Sequence, residues 1–245
     1  MKVKVLLLII IMGCINVFTV YSQSIVPVFF FKEHPVTHNY HITSDGKNYY
    51  TINGGRASLG QISKFTLFGD LVETYSFKLD MRSIMYNSTS NKFYIWSYDS
   101  NLYQITDFNK GEAKIIFSKF LVNGQAGLAI SSDGKFLYSL QDSVLSLYKT
   151  SNGKLHKTIQ GISSGPNFAQ GSLSVAVDNK YIYTWNSETQ MLYAYDLDGN
   201  KLKEVQLSAG TFGPSLSCAN GFVFVADDGN YVEHGFWYAY DIWAK

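Results

Sequence analysis

From residue 38 onward the chain is written in short runs of alternating apolar and polar residues, separated by glycine or asparagine turns. Alternation with a period of two marks a half-buried strand, because successive side chains of an extended backbone point to opposite faces. Five runs that follow a polar turn resemble one another: DGKNYYTI, SNKFYIW, DGKFLYSL, DNKYIYTW and NGFVFVA. Aligning Tyr50, Tyr94, Tyr138, Tyr183 and Phe224 gives spacings of 44, 44, 45 and 41 residues. A further run follows each one (GQISKFTL, NLYQITDF, VLSLYKTS, MLYAYDLD, FWYAYDIW). In the first four periods a glycine turn and a third run come next: LVETYSF, AKIIFSKF, KLHKTIQ and KLKEVQL. A shorter run precedes each turn: NYHIT, RSIMYN, GLAIS, LSVAV and SLSCA. Each full period therefore predicts four short antiparallel strands joined by hairpins.

Four strands per ~40–45 residues is the blade of a β-propeller. The chain is predicted to be all-β, a propeller of five four-stranded blades forming one domain over 23–245, with six blades as the alternative if one blade is hidden. No segment sustains a helical period, and no strand–helix alternation suggests a parallel sheet. The fifth repeat lacks its fourth strand, and SIVPVFFFK (Ser24–Lys32) stands alone ahead of the first. That strand is expected to complete the last blade and close the ring, hiding an edge that would expose unpaired backbone groups. Pro27 suits such an outer position, where no ladder donor is required.

Residues 1–22 have a different pattern. Lys2 and Lys4 precede the apolar run Val5–Met12, followed by small and polar residues. This reads as a secretory signal, too short to span a bilayer. Cleavage before Gln23, with Val20 and Ser22 at the recognition positions, is favoured over a lipobox reading in which Cys14 is lipidated. The chain is thus expected to be exported, secreted or periplasmic, and to meet a membrane only through a lipid on Cys14.

Composition adjusts this picture in three ways. Aromatic residues form 16% of the chain, which suits half-buried pleated surfaces. The formal charge is +1; losing Lys2 and Lys4 leaves 18 basic against 19 acidic residues, or −1. A near-neutral surface argues against nucleic acid as a partner, since phosphate contacts need a basic patch. Beyond Cys14 only Cys218 remains, inside the apolar run SLSCANGFVFVA, where a buried, inert thiol is expected. Asn87-Ser88-Thr89 forms a glycosylation sequon.

The strings SSDGKFLYSL with LSLYKTSNGKLHKTI, and NKYIYTWNSETQMLYAYDLDGNKLKEVQL, resemble the YVTN and quinoprotein-like propeller repeats. Blades 3 and 4 carry nearly all of that resemblance, and it implies fold more than activity. The tryptophan docking pattern of the quinone-dependent members is missing, because Trp96, Trp185, Trp237 and Trp243 do not share one place. No cofactor is expected, and no lactonase residues can be carried over.

In a propeller, the connections between blades and the loops joining second to third strands share one face around the channel, where short loops on a rigid scaffold converge. The candidate ligand-binding residues on that mouth are His38, Arg56, Arg82, Gln125, Gln170, Asn186, Asp227 and Asp228. Amides, cations and aromatics there suit a protein or glycan ligand, so a non-catalytic interaction module of the cell envelope is expected, acting as a monomer. The alternative is a hydrolase on glycans or lactones, with Asp227 or Asp228 paired to Asp99 or Glu188 across the channel. The loop 226–235 is acidic, but its spacing lacks the pattern of a calcium loop. No metal site and no catalytic set are predicted.

Overall fold

The computed structural model describes residues 24–35, 37–163, 174–229 and 231–244. Twenty strands form five four-stranded antiparallel sheets. Blade 1 comprises His38–Ser44, Asn48–Gly54, Gln61–Thr66 and Leu71–Ser76. Blade 2 comprises Met81–Asn87, Lys92–Ser97, Leu102–Asp107 and Glu112–Phe117. Blade 3 runs Leu128–Ile130, Phe136–Gln141, Val144–Lys149 and Leu155–Gln160, and blade 4 runs Ala176–Val177, Tyr181–Asn186, Met191–Asp196 and Lys201–Gln206. Blade 5 takes Phe212–Ala219, Phe222–Ala226 and Phe236–Tyr240, with Phe29–Lys32 as its fourth, outermost strand. The one helical turn among the described residues is the 3-10 segment Ala57–Leu59. The architecture is the five-bladed propeller that the repeat predicts.

The repeated DGK–Tyr string has a local cause. Asp45 Oδ1 accepts from the backbone N–H groups of Lys47 and Asn48 at 2.8 and 2.7 Å, and Asp45 Oδ2 accepts from the Tyr50 hydroxyl at 3.0 Å. Asp178 repeats the arrangement with Lys180, Tyr181 and the Tyr183 hydroxyl. The aspartate closes the first hairpin and pins the tyrosine of the second strand, so turn and strand form one unit.

Apolar side chains gather in five clusters, each between two consecutive blades. Trp96, Trp185 and Trp237 are completely buried in three of them. A large apolar side chain contributes roughly 1.5–3 kcal/mol on full burial, so the blade interfaces dominate the stability. Around the channel the inner strands splay apart and cannot pair, and hydroxyls bridge the gap. Thr43 accepts from Tyr86 N at 3.2 Å, Ser83 from Leu128 N at 2.7 Å, and Ser217 from Ile42 N at 3.3 Å. Each satisfies an inner-strand donor that would otherwise be stranded.

The closing strand is shorter than Ser24–Lys32. Phe29–Lys32 pairs antiparallel with Phe236–Ala239, while Ile25 makes a separate parallel bridge to Leu207. Phe31 stacks on Tyr49 and packs against Phe65 across the seam. Next to it Glu33 is buried, accepting from Trp237 Nε1 and His34 N, both at 2.7 Å. Burial raises its pKa above the ordinary carboxylate value, with these donors and the Thr51 and Ser63 hydroxyls acting in the other direction.

The sequon asparagine is a turn cap. Asn87 is 5% exposed; its amide donates to Gly134 O at 3.0 Å, and its Oδ1 accepts from Thr89 N and Ser90 N. A buried, hydrogen-bonded amide nitrogen is not open to glycosylation in the folded chain.

Candidate functional site

The mouth where the inner strands begin brings together residues from blades 5, 1 and 2. His38 opens the inner strand of blade 1, and its Nδ1 lies 2.9 and 2.8 Å from the two carboxylate oxygens of Asp228. Both side chains are partly exposed, at 28% and 31%. The imidazole stacks on Phe212 at 5.7 Å with a 10° interplanar angle, and Tyr231 meets it edge-on at 5.0 Å. Arg56 lies over the Tyr231 ring, 5.3 Å from its centroid. Burial raises the Asp228 pKa, and the hydrogen bond and charge of His38 oppose that shift.

The backbone around this cluster is held under constraint. Tyr231 has a φ of 65°, an uncommon conformation for a bulky residue and one that clusters at functional sites. Gly55, at φ 93°, passes so close that a Cβ there would lie 2.5 Å from the Tyr231 hydroxyl and 2.7 Å from the His38 ring. Asn39, fully buried, donates to Asp227 O at 2.9 Å and anchors the loop that carries Asp228.

Arg82 lies beside this cluster in a different setting. It is 4% exposed, with its guanidinium over Tyr40 at 4.3 Å and over Tyr98 at 5.0 Å. It is paired with Asp80 and donates to Gln125 Oε1 at 3.0 Å. Asp80 also accepts from Gly55 N at 2.7 Å. Arg82 thereby ties blades 1, 2 and 3 together under the mouth. Burial raises the Tyr40 pKa, and the neighbouring Arg82 charge lowers it in part.

Of the residues singled out from sequence, His38 and Asp228 meet directly, Arg56 reaches the cluster through Tyr231, and Arg82 and Gln125 adjoin it. Asp227 serves its own loop, accepting from Thr211 at 2.9 Å and from the Tyr238 hydroxyl at 2.6 Å. Asn186 is buried and caps a turn through Glu188 N and Thr189 N. Gln170 and Cys14 lie outside the described residues. Asp99 gives its carboxylate to Tyr103 and Asn101 within its own hairpin. Tyr40, Asp80 and Tyr231 were not among the candidates. Tyr231 had a signal, its place in the longest loop of the fifth repeat; Asp80 and Tyr40 had none beyond proximity to Arg82 and His38.

The cluster can do two things chemically. Its aromatic edges, the imidazole–carboxylate pair and the exposed Arg56 can hold a polar ligand that has an apolar face. An imidazole oriented by a carboxylate can also move a proton. Among the described residues no three His, Cys, Asp or Glu side chains converge where a metal could sit. Nor is any helix among them long and apolar enough to cross a membrane.

No protein-family model matches the chain, and no curated protein matches it. Solved structures do. Apo AztD from Citrobacter koseri aligns over 72% of this chain and 49% of its own, at 11% identity and a TM-score of 0.37. Glutaminyl cyclase from Myxococcus xanthus aligns over 88% of this chain and 98% of its own, at 11% identity and a TM-score of 0.62. The cyclase likeness is one of fold, and with the five blades described above it places the chain among the β-propellers.

Proposed function

We propose that the chain is an exported binding module that recognises a peptide or glycan segment at the mouth built by His38, Asp228, Phe212, Tyr231 and Arg56. The observation that carries this reading is the half-exposed His38–Asp228 pair, framed by two aromatic rings and held in place by a strained tyrosine. Export rests on the basic-then-apolar pattern of residues 1–22. Kinship with the YVTN-type repeats rests on the hairpin strings of blades 3 and 4.

The test is an array of immobilised glycans and peptides probed with the purified chain and with Asp228→Asn. Ligands retained by the first and lost by the second support the reading; ligands retained equally by both oppose it.

The His38–Asp228 geometry also favours a second reading, proton-transfer catalysis at the same place, as in hydrolysis of a glycan or lactone. Glutaminyl compounds join these as a third substrate class, after the name of the cyclase whose fold the chain shares. Turnover lost in His38→Gln would put this reading ahead; absence of turnover on all three classes removes it.

A further inference from the structure

At the opposite end of the channel, the turns between first and second strands of the five blades surround a cavity of about 260 Å³. Its rim carries Ser44, Ser88, Ser132, Asn179 and Asn220, and its walls include Tyr86, Ile130, Val177 and Phe222. Thr43, Ile130, Val177 and Cys218 are shared with a second, deeper chamber of about 30 Å³, lined also by His41. The two spaces therefore adjoin along the axis, one large enough for a small organic molecule and the other for a single hydroxyl or water.

His41 marks the inner end. It is 5% exposed, and neither Nδ1 nor Nε2 makes a hydrogen bond of ordinary geometry. Unpartnered buried polar atoms are costly, so a side chain left in this state in a chamber that opens to a vestibule points to an outside partner. Burial pushes its pKa down to about 4, although the nearby Ile84 backbone favours the charged form. At neutral pH the ring is therefore uncharged, with one nitrogen turned to the Ile84 backbone and the other left as an acceptor.

The surroundings select the kind of partner. No lysine or arginine lines either space among the described residues, so nothing there compensates an anion. The one carboxylate, Asp178, is already satisfied by Lys180 N, Tyr181 N and the Tyr183 hydroxyl, which leaves little to attract a cation. His41 and Cys218 gain no third metal-binding side chain among the described residues. What remains is a neutral group able to donate a hydrogen bond to His41, on a molecule with an apolar face for the walls.

We propose that this axial cavity is a second binding site, for a small neutral hydroxylated molecule of the monosaccharide or polyol class, with one hydroxyl reaching His41. The site is separate from the upper mouth and does not depend on the function proposed there.

The test uses the full chain with uniform ¹⁵N labelling at pH 7 and millimolar D-glucose, D-ribose, myo-inositol and glycerol as probes. At least one probe is expected to shift both His41 ring nitrogens and to slow alkylation of Cys218 by N-ethylmaleimide at least fivefold, read on its own peptide by mass spectrometry. Asn179→Trp, at the exposed rim, should abolish both effects while leaving thermal unfolding unchanged. His41→Phe should abolish binding while keeping the vestibule. Failure of every probe to move His41, or shifts that persist unchanged in Asn179→Trp, would overturn the proposal. So would a crystal grown with a probe that shows water alone on His41.

Discussion

His38 and His41 stand three residues apart on one strand, yet they look onto opposite parts of the channel. His38 is half exposed, stacked on Phe212 and paired with Asp228. His41 is buried, with no hydrogen bond of ordinary geometry to either nitrogen, only the Ile84 backbone near the ring, and a pKa pushed down to about 4. Between them the strand departs from regular pairing, with a register shift between Asn39 and His41. A bulge adds one residue and re-aims the side chains that follow it. The contrast shows how one short strand serves two environments: a polar, partly exposed mouth built by loops, and a buried axis bridged by hydroxyls.

The largest effect should come from a change that removes both environments at once. Phe31→Ala empties the seam where the closing strand packs on Tyr49 and Phe65. It should cost about 3–5 kcal/mol in denaturant unfolding. The mouth and the axial cavity should then be lost together; a Phe31→Ala chain that unfolds like the parent would show that the seam is not what holds the ring closed.

Acid should separate the two histidines next. A depressed histidine pKa leaves stability intact above 6.5, the unfolded value. As pH falls from there towards about 4, the unfolded chain takes up a proton that folded His41 refuses, and stability is lost. The shift corresponds to about 3 kcal/mol across that window. His41→Met should flatten this part of the profile in urea titrations at pH 7 and 4.5; an unchanged profile would assign the acid sensitivity to other groups.

Asp228→Asn should leave unfolding within about 1 kcal/mol of the parent, because a pair this exposed contributes little to stability. Ligand affinity at the mouth should nonetheless fall about tenfold, or about 1.4 kcal/mol. A smaller effect, about two- to fivefold, is expected for Arg56→Ala, whose guanidinium lies over Tyr231 at the surface. That loss should shrink in high salt.

The blade count, the closing strand and the face carrying the loops were legible because they rest on local chemistry. In blades 1 and 4, Asp45 and Asp178 cap their turns and pin Tyr50 and Tyr183, so the hairpin announces itself in a few residues. His38 and Asp228 were legible as mouth residues, but their pairing was not, since 190 positions separate them and only ring closure brings them together. Arg82 read as an open ligand contact, whereas Tyr40, Tyr98 and Asp80 enclose it. His41 carries no such signal, because the space beside its ring depends on what the four other inner strands leave empty. Alternation within a strand cannot report that.

The most direct test of the account is calorimetric titration of the best ligand from the array into the parent chain, Asp228→Asn and His41→Met. Affinity should be about tenfold weaker in Asp228→Asn and unchanged in His41→Met. Equal affinity across all three, or a loss confined to His41→Met, would contradict binding at the His38–Asp228 mouth.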